Sequence, residues 1–147
     1  MISVEIHGVK APPRKDAAAH AEWKRTDPIW LLRQCLGNKL RSKHWRSAHH
    51  AKKKWIDAYN RAAVVVGSPV RPPALVVVIH ALPSCPDIDA PIKVLLDAAQ
   101  GTVLTSGDDK DIATQLTIRE KPTTHPWVRL IAMSMIDEAY ECNQLIS

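Results

Sequence analysis

Ala74-Leu75-Val76-Val77-Val78-Ile79-His80-Ala81-Leu82 carries one polar side chain in nine residues and is rich in β-branched types. Closed by Pro83 and Pro86, it reads as a central strand, because it is continuously apolar. Downstream, Ile92, Leu95, Leu96 and Ala99 fall at i, i+3, i+4, i+7, which predicts a helix over 90–100, ended by Gly101. Residues 112–119, with Ile112, Leu116 and Ile118, read as a second strand, and 127–133 as a third. Thr123, Thr124 and Pro126 between them suggest a hairpin-like connection, and 137–147 a short terminal helix. Upstream, 2–9 alternate apolar and polar as a half-buried strand does, and Ala11-Pro12-Pro13 ends it. A short helix around 17–24 comes next. Asp27-Pro28 opens another, with Asp27 as N-cap, and Gly37-Asn38 stops it. A longer helix over 47–65 buries Trp55, Tyr59, Ala62, Ala63 and Val66 on one stripe. A turn-rich link, 67–73, then leads to the apolar run.

The chain has 147 residues, the size of one domain, and 46% hydrophobic against 24% charged residues, ordinary for a globular protein. No signal peptide is read at the N-terminus, because Lys10, Arg14, Lys15 and Asp16 interrupt any apolar run. No apolar run is long enough to span a membrane. The three cysteines, Cys35, Cys85 and Cys142, have no metal-ligand spacing and read as reduced thiols of a cytoplasmic protein. Zinc on Cys35, His44, His49 and His50 fits no standard ligand pattern.

Charge is divided along the chain. Residues 1–61 hold 14 Lys/Arg and 5 Asp/Glu, whereas residues 62–147 hold 6 and 10. Six of the fifteen acids, Asp87, Asp89, Asp97, Asp108, Asp109 and Asp111, fall within 86–111. A basic half draws in phosphates, and clustered carboxylates hold the cation that works on them, so the pattern points to a divalent-metal site for cutting nucleic acid. The bland alternative is that the basic residues solvate helix surfaces. In extended backbone Asp87 and Asp89 share a side, with Ile88 facing the core, and Mg²⁺ needs only a few such oxygens. One of Asp108, Asp109 and Asp111 is expected to complete the set, since acids this close repel unless a cation is near. Asp89, Lys93 and Asp97 step by four along one helix edge. Lys93 either makes an i, i+4 salt bridge or steadies a scissile phosphate. Arg41, Lys43, Arg46, Lys52, Lys53 and Lys54 form a phosphate-tracking surface.

Asp87-Ile88-Asp89, Lys93, Asp97 and Asp108-Asp109 with Ile112 resemble the RusA-type Holliday junction resolvases over roughly 75–118. The chain departs from that family at Ala90-Pro91, where an Asn usually follows the second Asp. The resemblance implies an α+β fold, a single domain with a mixed β-sheet flanked by helices, acting as a homodimer. It implies Asp87, Asp89 and Asp109 as catalytic metal ligands and Lys93 as a catalytic lysine. It also implies Mg²⁺-dependent symmetrical nicking of four-way DNA junctions. On that reading Mn²⁺ is the alternative metal, and no small-molecule cofactor is needed. Asp97 and Asp108 orient Lys93 or the metal's waters. Residues 1–66 form a basic DNA-binding part and 74–135 the catalytic core. The setting is a bacterial cytoplasm or that of a phage host, in DNA recombination and repair. The alternatives are a non-catalytic DNA-binding protein whose acids balance charge, a nuclease for other branched DNA, and a nucleotide-sugar enzyme using Asp-x-Asp. The last lacks a Gly-rich nucleotide loop here.

Overall fold

The computed structural model describes residues 1–39, 45–83, 90–121 and 125–136. Along the apolar run, Ala74, Val76, Val78 and His80 are fully buried, while Leu75, Val77 and Ile79 are only half-buried. This strand, β3 (Ala74–Ala81), is therefore, among the described residues, packed on one face and only partly covered on the other. It pairs on one side with the parallel β4 (Ile112–Arg119) and on the other with the antiparallel β5 (Trp127–Ser134). β5 continues to β1 (Ile2–His7) and β1 to the edge strand β2 (Val64–Gly67), both antiparallel. The result is a mixed five-stranded sheet in the order β2-β1-β5-β3-β4. Because β3 lies between β4 and β5, these two strands do not pair as the expected hairpin would, and Thr123 and Thr124 themselves lie outside the described residues.

Helices α1 (Ala17–Thr26), α2 (Pro28–Lys39), α3 (Trp45–Ala62) and α4 (Ala90–Val103) complete the described elements with a 3₁₀ turn, Asp109–Asp111. Ile29, Leu32, Trp55, Tyr59, Leu95 and Ala99 from α2, α3 and α4 meet Ile2, Val4, Ile6, Val76, Val78 and Leu130 from the sheet in one core. The chain is thus a single α+β domain with a mixed sheet and helices against it. The strand from the basic part, β1, sits inside the same sheet as the strands of the acidic part. Burial of the Ile92-Leu95-Leu96-Ala99 stripe is as the spacing predicts.

Three element ends differ from expectation, the first being α2, which runs through Gly37-Asn38 to Lys39. The long helix stops at Ala62, and the three valines that follow form β2 instead of a last helical turn. β-Branched side chains are stiff in a helix, and the open edge of β1 offers their backbone a ladder. Gly67, at φ 102°, lies opposite Ile2, where an added Cβ would meet the Met1 carbonyl at 2.5 Å. α4 runs through Gly101 to Val103, because the buried Val103 and Leu104 lie beyond the glycine and the Val103 carbonyl accepts from Val70 N at 2.8 Å. The left-handed turn falls instead at Gly107, φ 68°.

Asp27 is the N-cap the sequence predicts, and it does more. Its Oδ2 accepts from Trp30 N at 3.0 Å and its Oδ1 from Val9 N at 2.7 Å, tying the loop after β1 to the α1–α2 junction. The predicted terminal helix over 137–147 lies outside the described residues.

Candidate nucleic-acid interface and acidic edge

Lys93 is exposed in the first turn of α4, which begins directly after Asp89. Asp97 lies one turn on. Its carboxylate, 24% exposed, meets Lys52 Nζ of α3 at 3.3 Å. Close by, the indole of the fully buried Trp55 donates to the Val94 carbonyl at 3.0 Å. A neutral hydrogen bond and an ion pair therefore dock the basic helix onto the same edge of α4 that carries Lys93. Asp97 was expected to orient Lys93, and it is Lys52 that it engages.

That contact divides the lysine triplet. Successive residues on a helix are turned by about 100°, so Lys52 and Lys54 point to opposite sides of α3. Lys52 joins Asp97, whereas Lys54 opens onto a groove between α1, α2 and α3. Lys53, also predicted to contact phosphate, is exposed.

The later acids are organised by their own backbone. Asp108 Oδ1 accepts from Lys110 N at 3.0 Å and the Asp108 carbonyl from Asp111 N at 3.2 Å, which closes the 3₁₀ turn. Asp108 thus shapes the turn that opens with Asp109. Thr105 N donates to the Val70 carbonyl at 3.0 Å and Ile112 stands opposite Ala74, so this turn lies near the start of β3. Lys93 precedes Val103 by ten residues, about 15 Å along the helix axis. Asp87, Asp89, Arg41 and Lys43 lie outside the described residues. Arg46 and Asp109 are placed by their backbone alone, in the first turn of α3 and at the opening of the 3₁₀ turn. Among the described residues no cluster of three or more His, Cys, Asp or Glu is arranged around a metal position. The predicted donor set, carboxylates only, has the oxygen chemistry that suits Mg²⁺.

Cys35 is buried, and burial pushes its thiol up to about 11 against a smaller opposing pull from Lys52. It stays protonated at neutral pH, the state of an inert buried thiol.

Sequence reading missed the groove itself. Trp30 forms its wall, flanked by Lys24, Arg25, His50 and Lys54. The signal was present in Trp23 and Trp30, seven residues apart with two basic residues beside them, but three helices had to assemble before they faced His50 and Lys54.

Compared with protein-family models, with curated proteins and with solved structures, the chain has no match. Among the described residues no helix is long and apolar enough to cross a membrane.

Proposed function

We propose that this protein is a Mg²⁺-dependent, structure-selective endodeoxyribonuclease of the RusA type that resolves four-way DNA junctions in recombination and repair. The observation that carries the reading is the docking of α3 on α4 through Lys52–Asp97 and Trp55–Val94. It sets the basic helix beside α4, the helix that follows Asp87-Ile88-Asp89 in sequence, although some forty residues separate the contacting residues. Asp87 and Asp89, next to Lys93 in the chain, would hold Mg²⁺, which would supply Lewis acidity and an activated water at the scissile phosphate. Asp109, whose turn lies by the far end of α4 from Lys93, is assigned as the third ligand on the family resemblance alone. Lys93, exposed at the start of α4, offsets charge on that phosphate. Lys53 and the Arg41, Lys43 and Arg46 stretch hold flanking duplex through its backbone, positioning without reading sequence.

Action as a homodimer belongs to the same proposal, and the sheet face left uncovered among the described residues supports it. Cross-strand neighbours Leu116, Val77 and Ile131 form an apolar row there, continued by Ile79 and Ile118. The charged residues placed on that face by the registers of β1 and β5 are already joined to one another. Arg129 Nη2 lies 2.6 Å from Glu5 Oε1, and His7 Nε2 3.0 Å from Glu5 Oε2. Such a face can be covered without stranding a charge. Five strands about 4.8 Å apart and roughly 20 Å long present about 500 Å² of flat area, approaching what one partner of a stable interface buries.

The test is nicking of a synthetic four-way junction with Mg²⁺, with linear duplex as control and light scattering on the same sample. Symmetrical nicks, a mass of twice 16.3 kDa, and a loss on the order of 10²-fold or more for Asp89→Asn, Asp109→Asn and Lys93→Ala are expected. Full nicking by both Asp variants refutes the metal assignment. Junction binding without Mg²⁺ and without product identifies the binding module instead.

A further inference from the structure

The groove between α1, α2 and α3 has no part in the nuclease chemistry, and its construction points to a ligand of its own. It encloses about 500 Å³, within the range of small-molecule sites. Lys24, Arg25, His50 and Lys54 line it, and among the described lining residues there is no carboxylate. Arg25 is partly neutralised by Glu22, whose Oε1 and Oε2 lie 2.6 and 3.1 Å from Nη2 and Nε. Lys24 and Lys54 are therefore the principal cations.

The wall is aromatic and rigid. Trp30 is half-buried, and its ring centroid stands 5.1 Å from that of Trp23, tilted by 46°. Trp23 is fixed in turn, since its Nε1 donates to the Val9 carbonyl at 2.9 Å. Asp27, itself buried, holds both the Trp30 and the Val9 backbone amides. The Lys24 ammonium sits 5.3 Å from the Trp30 centroid, where a flat ligand would rest. A lysine parked on an aromatic face is readily displaced when a phosphate is offered, because ammonium and phosphate attract more strongly than ammonium and ring.

We infer that this groove binds one unpaired nucleotide of a nucleic-acid strand, its base against Trp30 and its flanking phosphates on Lys24 and Lys54. Cationic side chains beside a fixed aromatic platform are what single-strand sites share, because every base has a face to stack. An intact duplex keeps those faces covered within its own stack. The inference goes beyond the nuclease reading and stands without it, since binding here requires neither metal nor cleavage.

The experiment is fluorescence anisotropy of 5′-labelled dT10 with the full chain in EDTA, over a range of salt. Competitors are a blunt hairpin duplex, dTMP and inorganic triphosphate. Trp30→Leu should weaken dT10 binding at least fivefold and leave the salt slope unchanged, and Trp30→Tyr should restore most of it. Lys24→Gln with Lys54→Gln, both at exposed positions, should weaken binding and reduce the salt slope by about 1.4, the value for two single-strand phosphates. Far-UV circular dichroism checks that each variant is folded. Trp30→Leu binding within twofold of the unaltered chain overturns the base platform. Triphosphate competing as well as dT10 reduces the site to an anion site, and dTMP doing so reassigns it to free nucleotides. Either result refutes the strand assignment.

Discussion

Trp55 is the residue on which the docking of the basic helix depends. It is fully buried, meets Tyr59 edge-on at 6.0 Å, and reaches across to α4 through its indole N–H. Trp55→Phe keeps the aromatic stack but loses the donor and the second ring. The lost hydrogen bond costs about 1 kcal/mol. The vacated volume, roughly 40 Å³ at about 24 cal/mol per Å³, costs about 1 kcal/mol more. Trp55→Phe should therefore destabilise the domain by about 2 kcal/mol, and Trp55→Ala by about 3–5 kcal/mol. Urea unfolding followed by far-UV circular dichroism measures both, with an unchanged slope confirming that the native state stays compact. Junction binding should fall with Trp55→Phe even where the protein remains fully folded, because α3 loses its register on α4. A cost below about 0.5 kcal/mol for Trp55→Phe would refute the anchoring role assigned to the indole N–H.

Two further outcomes follow from polar groups the fold commits. Asp27→Ala removes an N-cap and strands the Val9 amide, so a loss of about 2–4 kcal/mol is expected, with Asp27→Asn well below that; equal costs for the two in urea unfolding would contradict the cap geometry. The Glu5 carboxyl is held below its ordinary value of 4.5, chiefly by the hydrogen bond from His7 and then by Arg129, against the opposing effect of burial. A depressed carboxylate contributes stability that is present above the unfolded value and lost as pH falls through the folded one. The pair is about a third exposed, so Glu5→Gln should cost no more than about 1 kcal/mol at pH 7. That gap should close as pH falls below 4.5 through the lowered folded value; a gap constant with pH in thermal melts would exclude the linkage.

Local physics written into neighbouring residues was legible without the structure. The Ile92-Leu95-Leu96-Ala99 stripe dictates α4, the Asp27-Pro28 pair starts α2, and the alternation over 2–9 makes β1, because period and capping act within a few residues. The concentration of carboxylates at 86–111 and of cations at 39–54 was equally plain. Tertiary structure decided the rest. A continuously apolar β3 reads as a central strand, and which of its faces the helices cover is decided by packing: among the described residues they cover one. Val64 and Val65 left the helix because β1 had an edge to pair with, a partner sixty residues away. β4 and β5 could not pair as a hairpin once β3 lay between them. Lys52-Lys53-Lys54 looked like one phosphate surface. Helical rotation turned Lys52 to Asp97 and Lys54 to the tryptophan groove, and only the packing of α3 between its neighbours determines what each lysine meets.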